Sequence, residues 1–206
     1  MTTRDQLPFA VKLAYTLFVC VLVPVYWMRI GPANFLWTCD VALLVTLIAV
    51  WREHRLLTGA VAVAVLLPDL VWNLDFFTRL LVGSDVLGFN ATGYMFEAAT
   101  PIWQRALSLF HVFLPLLLLW MLRRFGYDRR ALLATTCAWW LLVPVTRWLT
   151  DAEQNINWVY GLGSPPWTPV PDYLYLAMIM LLYPLAVFLP THLLLMLAFA
   201  RQRRDG

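Results

Sequence analysis

Long apolar runs alternate with shorter polar connections along the chain, a pattern typical of membrane proteins. Six runs reach or approach the roughly 20 residues that a helix needs to cross a bilayer; they are residues 8–30, 34–51, 56–81, 106–122, 131–149 and 173–200. Such runs predict transmembrane helices. Because no long polar stretch remains for a soluble domain, the sequence predicts one all-α domain over residues 1–206, a polytopic membrane bundle of six transmembrane helices.

The connections between these runs differ in length. Residues 52–55 and 123–130 form short connections, whereas residues 83–105 and 151–172 form two long loops on the opposite side. The second long loop holds four prolines together with Trp158, Tyr160 and Trp167, which is typical of a structured cap at a membrane interface. Long structured loops over a scaffold are common places for function.

Composition supports the membrane class. The chain is 62% hydrophobic and 13% charged, whereas soluble domains carry roughly 25% charged residues. With a modest net charge of +3, we expect membrane lipids as partners and no nucleic acid. The oligomeric state stays open.

The distribution of positive charge predicts the orientation, because loops on the cytoplasmic side carry more Lys and Arg. Eleven basic residues fall at the termini and on the short connections, and four fall on the opposite side: Arg29, Arg79, Arg105 and Arg147. Both termini are therefore predicted to be cytoplasmic and both long loops to lie outside. This topology predicts a multi-pass protein of the bacterial inner membrane or an equivalent membrane.

Polar residues inside the runs suggest a site. A charged residue at the centre of a transmembrane helix costs on the order of 2.5–3.5 kcal/mol, so such residues usually face the interior of a bundle. Helical rise places Asp40, Asp69, Asn73 and His111 together in the outer half of the membrane. This convergence is the main sequence evidence for a functional site.

Each of these residues also has a structural interpretation. Asp75 and Arg79 are four apart and predict an ion pair. Asp69 and Asn73 could bond to backbone groups freed by Pro68. His111 suits a general base, and it could equally serve as a hydrogen-bonding residue between helices.

The histidines argue against a metal centre. His54, His111 and His192 fall at three different depths, and no pair has the H-x-x-x-H spacing of a haem or di-iron site. We expect neither a metal nor another cofactor.

Three segments, in order, resemble a loose group of six-span proteins. Residues 34–40 (NFLWTCD) resemble the F-L-T-x-x-D segment of the androgen-induced and androgen-dependent intramembrane lipid hydrolases. Residues 110–115 (FHVFLP) resemble the histidine–proline segment of those hydrolases and of bacterial YwaF-type proteins, which are related to a vertebrate cysteine-dependent acyltransferase. Residues 155–158 and 165–167 resemble the asparagine and tryptophan–proline cap of the YwaF-type proteins.

The resemblance implies an intramembrane hydrolase or acyl transferase that acts on lipid esters from the outer leaflet. His111 would be the general base, Thr38 or Cys39 the nucleophile, and Asp40 the carboxylate that orients the imidazole. A gapless alignment places the threonine of the hydrolases on Trp37, one position before Thr38. The substrate-binding candidates are Asn34, Trp37, Asp69, Asn73, Asn155, Asn157 and Trp158, with Asn155 and Asn157 as possible oxyanion donors.

Two alternatives from other classes remain. A small transporter or proton-coupled carrier would use Asp40, Asp69 and Asp75 as a proton or cation path, although the lack of an internal repeat argues against it. A non-catalytic membrane scaffold would bind a partner through the aromatic residues of the second long loop.

Overall fold

The computed structural model describes residues 6–86, 88, 90–163 and 165–199. Across these residues the regular structure is helical, apart from one isolated bridge between Leu162 and Trp167. The α-helices are α1 (Phe9–Arg29), α2 (Thr38–Arg52), α3 (Arg55–Val82), α4 (Ile102–Leu107), α5 (Phe110–Phe125), α6 (Ala131–Leu149), α7 (Asp172–Tyr183) and α8 (Leu189–Phe199).

Two pairs of these helices are continuous. α4 runs into α5 as Ile102–Phe125, and a π-helical turn at Pro184–Phe188 joins α7 to α8 as Asp172–Phe199. Within the described residues, five helices are long enough and apolar enough to cross a membrane: these two rods, α1, α3 and α6. The chain is therefore a helical integral membrane protein, and the all-α prediction is confirmed for the described residues.

The second predicted span is shorter than expected. Gly31 at φ +104° leads into a 3₁₀ turn at Pro32–Leu36, and α2 then begins at Thr38 and has 15 residues. At 1.5 Å per residue α2 covers about 22 Å, less than the roughly 30 Å of a hydrocarbon core. The count of six spans and the cytoplasmic termini stay predictions. Some residues on which those predictions rest lie outside the described residues: Arg4, Ala200, Arg201, Arg203 and Arg204.

α3 forms the centre of the bundle. It packs against α2, α5 and α6 and also contacts α8. A run of small and branched side chains from Val61 to Val65 is largely buried there. A Cβ atom added at Gly59 would lie 3.1 Å from the Cβ of Ala131, so the absence of a side chain lets α3 approach α6 closely.

The π-helical turn sits where α7 meets α8. Proline lacks a backbone N–H, and its ring obstructs the preceding turn, so a break in regular hydrogen bonding is expected at Pro184. Tyr183 stacks on Trp139 with 4.4 Å between ring centroids, and both rings contact Phe188 edge-on. This aromatic group fixes the last rod against α6.

Candidate functional site

Buried polar side chains converge near the end of the bundle that carries the two long loops. We call this group the polar cluster; it comprises Tyr26, Asp40, Asp69, Trp72, Tyr94, Ser108 and His111. All but Tyr94 are buried. Its members come from α1, α2, α3, the first long loop and the junction between α4 and α5.

His111 lies in the first turn of α5, just after Ser108 and Leu109, the two residues that join α4 to α5. Its Nδ1 is 2.9 Å from the carbonyl oxygen of Ser108. A carbonyl oxygen only accepts hydrogen bonds, so Nδ1 must carry the hydrogen and, in the neutral ring, Nε2 keeps its lone pair. The ring stacks on Trp72 and Phe110, with centroid distances of 4.6 Å and 4.0 Å. Packing and hydrogen bonding thus fix His111 in the tautomer of a base acting through Nε2.

Hydroxyl and indole groups link the other elements of the cluster. The hydroxyl of Tyr26 and the Oγ of Ser108 are 2.8 Å apart, which ties α1 to the α4–α5 junction. The Nε1 of Trp72 donates to the hydroxyl of Tyr94 at 3.2 Å, which brings the first long loop onto the cluster. The ring of Tyr94 is partly exposed, but its hydroxyl is desolvated, which raises its pKa to about 12.

Asp40 lies in the first turn of α2 and is buried. Its Oδ2 accepts from the Nδ2 of Asn34 at 3.2 Å and lies 3.9 Å from the Sγ of Cys39. Among the described residues, its Oδ1 has no hydrogen-bond partner. The carboxyl group of Asp40 is close enough to the hydroxyl groups of Tyr26 and Tyr94 to interact with them electrostatically. The structure thus brings Asn34, Cys39 and Asp40 to the cluster.

Asp69 is the most isolated polar group of the cluster. Its side chain is 1% exposed, and neither carboxyl oxygen has a hydrogen-bond partner within the described part of the chain. The thiol of Cys39 and the hydroxyl of Tyr183 are close enough to interact electrostatically with this carboxyl group. One turn later, Asn73 donates through Nδ2 to the backbone oxygens of Asp69 and His111, both at 2.7 Å. Asn73 therefore joins α3 to α5 at the level of His111.

Asp75 and Arg79 do not form the predicted ion pair. Asp75 accepts instead from the backbone N and the Oγ1 of Thr92, at 2.8 Å and 2.7 Å. Arg79 pairs with Asp85 at 3.2 Å and donates to Asn90 at 2.9 Å. Two donors on Thr92 thus satisfy an oxygen of the Asp75 carboxyl group, while Asp85 and Asn90 take the guanidinium of Arg79. Both residues consequently hold the first long loop over the end of α3.

Asn157, in the second long loop, reaches the start of α2. Its Oδ1 accepts from both the backbone N and the Oγ1 of Thr38, each at 2.9 Å. Its Nδ2 donates to the carbonyl of Leu36 at 2.6 Å and to the Oγ1 of Thr146 at 3.3 Å. Trp37, the residue at the N-cap position, makes no side-chain capping bond. A residue 119 positions along the chain therefore caps α2.

The other candidates of the second loop organise the loop itself. Asn155 donates to the carbonyls of Gly161 and Gly163, at 2.9 Å and 3.2 Å, and accepts from the backbone N of Tyr160 at 3.0 Å. Trp158 is 40% exposed, and its carbonyl accepts from Tyr175 in α7 at 2.9 Å. The loop is thus a folded cap, as its composition suggested.

The predicted site residues fall into two adjoining groups. Asn34, Cys39, Asp40, Asp69, Asn73 and His111 belong to or border the polar cluster, whereas Trp37, Thr38, Asn155, Asn157 and Trp158 form the junction between α2 and the cap. Their catalytic and binding roles stay predictions. Among the described residues, no group of three or more His, Cys, Asp or Glu side chains could hold a metal ion.

Four members of the cluster were not predicted from the sequence: Tyr26, Trp72, Tyr94 and Ser108. Their only sequence signal is general, because buried Tyr and Trp usually need a partner for their polar atom. Eight Tyr and eleven Trp residues make that signal too common to select these positions.

Comparison with known proteins adds no assignment. No protein-family model, no curated protein and no solved structure matches the chain. The function must therefore be argued from the chemistry of the two groups just described.

Proposed function

We propose that this protein is an intramembrane hydrolase or acyl transferase that acts on lipid esters entering from the outer leaflet. The tautomer of His111 supports this proposal best. Its Nδ1 donates to the Ser108 carbonyl, which leaves Nε2 available as a base. The base lies in a buried cluster that also holds Asp40 and borders Cys39. The resemblance of residues 34–40 and 110–115 to lipid hydrolases points to the same chemistry.

In the proposed reaction, a side-chain O–H or S–H attacks the ester carbonyl of the lipid. His111 Nε2 takes the proton from the nucleophile and then gives it to the departing alcohol, leaving an acyl-enzyme. In hydrolysis, water attacks the acyl-enzyme and His111 takes the proton from that water. His111 then returns this proton to the oxygen or sulfur of the nucleophile as its bond to the acyl group breaks, and a free fatty acid leaves. An alcohol in place of water makes the same protein an acyl transferase.

Thr38 and Cys39 remain the two candidate nucleophiles. The hydroxyl of Thr38 donates to Asn157, and the thiol of Cys39 points toward the Oδ2 of Asp40. In the proposed mechanism, substrate binding turns one of these groups toward His111. Cys39 has the weaker bond to break, because its contact of 3.9 Å is longer than the 2.9 Å bond of Thr38.

The supporting roles differ from those first expected. The Ser108 carbonyl occupies the orienting position at His111 Nδ1 that had been expected for Asp40. The amide groups of Asn155 and Asn157 donate to backbone carbonyls in and near the cap. We therefore assign Asp40 and Asp69 to the polarity of the cluster and assign the two asparagines to holding the cap folded against the start of α2.

The test is release of free fatty acid from a mixed lipid extract by the purified protein. We expect release by wild type and none by His111→Ala, with both proteins equally folded by gel filtration and circular dichroism. His192→Ala is a matched control, because His192 is also buried but bonds to Tyr127 at the other end of the bundle. Equal release by wild type and His111→Ala would contradict the proposal.

A proton-coupled carrier is the second candidate, and one observation favours it. Three carboxyl oxygens of Asp40 and Asp69 are buried without a hydrogen-bond partner in the described chain. A bound proton neutralises the charge of such a carboxylate, and intramembrane carboxylates commonly serve proton relays. Proton flux into proteoliposomes that Asp40→Asn abolishes, with no fatty-acid release, would favour the carrier over the hydrolase.

A further inference from the structure

An apolar groove runs along the outside of the bundle between α3, α5 and α8. Its volume is about 860 Å³, and all but three of its lining residues are apolar. The exceptions are Asn73, Thr191 and Arg123, and the Oγ1 of Thr191 bonds to the carbonyl of Val187 within its own helix. We call this feature the lateral groove.

The lateral groove opens toward the region that hydrocarbon would occupy. Leu70, Leu116 and Leu194 border it, and their side chains are 52%, 65% and 59% exposed in the isolated chain. Along α5 the groove extends from Val112 to Arg123, which is about 16 Å at 1.5 Å per residue. Half of a hydrocarbon core of roughly 30 Å is about 15 Å. The groove therefore matches the depth of one leaflet, the region that holds a single lipid's acyl chains.

Among the described lining residues, positive charge lies at one end of the lateral groove. Arg123 is exposed on the last turn of α5 and contributes to the lining. The neighbouring Arg124 is turned elsewhere, since it lies over the ring of Trp120 and donates to the carbonyl of Gln6 at 2.6 Å. An apolar channel of leaflet length with a guanidinium at its headgroup end complements an anionic phospholipid, because arginine binds phosphate with several donors.

We propose that the lateral groove binds one anionic phospholipid, with an acyl chain along α3, α5 and α8 and its phosphate against Arg123. The lipid is a resident of the leaflet at the Arg123 end and is distinct from the proposed substrate. The site does not require His111 or the polar cluster, so it stands whether or not the protein is a hydrolase. Bound lipid would cover the seam where α8, at the end of the last rod, meets α3 and α5.

Native mass spectrometry of the purified full chain tests the proposal. The protein is released from micelles that hold equal amounts of phosphatidylglycerol and phosphatidylcholine with the same acyl chains, and the retained lipid is counted. One arginine near anionic lipid predicts about a fivefold preference for phosphatidylglycerol in wild type. Arg123→Gln should bring the ratio close to one, and Arg123→Lys should keep most of the preference.

Two further variants separate the groove from charge in general. Arg130→Gln removes a positive charge from an exposed side chain that pairs with Asp128 and does not line the groove, so it should keep the preference. Ala198→Phe fills the groove from α8 and should reduce retention of both lipids; if it does not fold, Val112→Phe fills the groove from α5. A preference unchanged in Arg123→Gln, an equal loss in Arg130→Gln, or full retention in a folded groove-filling variant would overturn the proposal.

Discussion

The capping of α2 by Asn157 gives the sharpest prediction for stability. Replacing Asn157 with Ala removes the acceptor for the backbone N–H of Thr38 and the donor to the carbonyl of Leu36. These backbone groups cannot turn toward another partner. The Oγ1 of Thr146, by contrast, keeps its bond to Leu142.

The magnitude follows from three parts. Loss of a helix cap costs about 1 kcal/mol, and the partly buried carbonyl of Leu36 left without its donor costs about another 1 kcal/mol. Asn157 has φ +53°, a left-handed conformation that Asn tolerates and that costs Ala about 1 kcal/mol. Asn157→Ala should therefore lower the free energy of unfolding by about 3 kcal/mol. Asn157→Gly loses the same bonds without the conformational cost, so it should lose about 2 kcal/mol.

Unfolding by SDS in mixed micelles, followed by circular dichroism, measures both variants. Gln154→Ala is the control, because Gln154 is an exposed residue of the same loop and its substitution should change stability by less than about 0.5 kcal/mol. Wild-type stability in Asn157→Ala would refute the capping argument. Equal losses in the Ala and Gly variants would refute the conformational part.

Three further predictions concern single carboxyl groups. Asp75→Ala should lower the free energy of unfolding by about 2 kcal/mol, because Thr92 loses the acceptor of two buried bonds; Asp85→Ala removes a partly exposed ion pair and two exposed bonds from the loop backbone, and should cost less, about 1 kcal/mol, in the same SDS titration. Asp69→Asn should leave stability equal to or above that of wild type, since both carboxyl oxygens are buried without a partner in the described chain; a loss above about 1 kcal/mol would show that they have one. Hydrogen bonds from the Arg130 guanidinium and backbone N–H hold the pKa of Asp128 at about 2; Arg130→Gln removes the guanidinium and keeps the N–H, so a carboxyl NMR titration should place this pKa between about 2 and the ordinary value of about 3.9. Because the folded-state pKa is lowered, the small stability contribution of this pair is present above about pH 4 and is lost as the pH falls toward 2; an unchanged pKa in Arg130→Gln would contradict the assignment of its cause.

The helical membrane bundle could be predicted from the sequence because hydrocarbon leaves a backbone few options. A long apolar run must satisfy its own hydrogen bonds, and a helix does so within one segment. The same logic places Asn73 and His111 at one depth, and the structure joins them through the bond from Asn73 to the His111 carbonyl. The start of α2 could not be read this way, because residues 35–37 continue the apolar run of the second predicted span although the 3₁₀ turn extends to Leu36.

The hydrogen-bond partner of each polar group could not be predicted from local sequence patterns. The spacing of Asp75 and Arg79 favours a pair, yet a loop residue, Thr92, offers Asp75 two donors already held in place. The bonds between Asn157 and Thr38 join residues 119 positions apart. Such contacts depend on how the loops fold back on the bundle, which helical periodicity does not describe.

The most direct test of the account is the rate of ester hydrolysis by wild type and His111→Ala on one lipid ester that the extract assay identifies. General base catalysis contributes about 10²–10⁴-fold. We expect the rate to fall at least about a hundredfold in folded His111→Ala and to stay unchanged in His192→Ala. Equal rates for wild type and His111→Ala would contradict the role of His111 as the base and, with it, the proposed function.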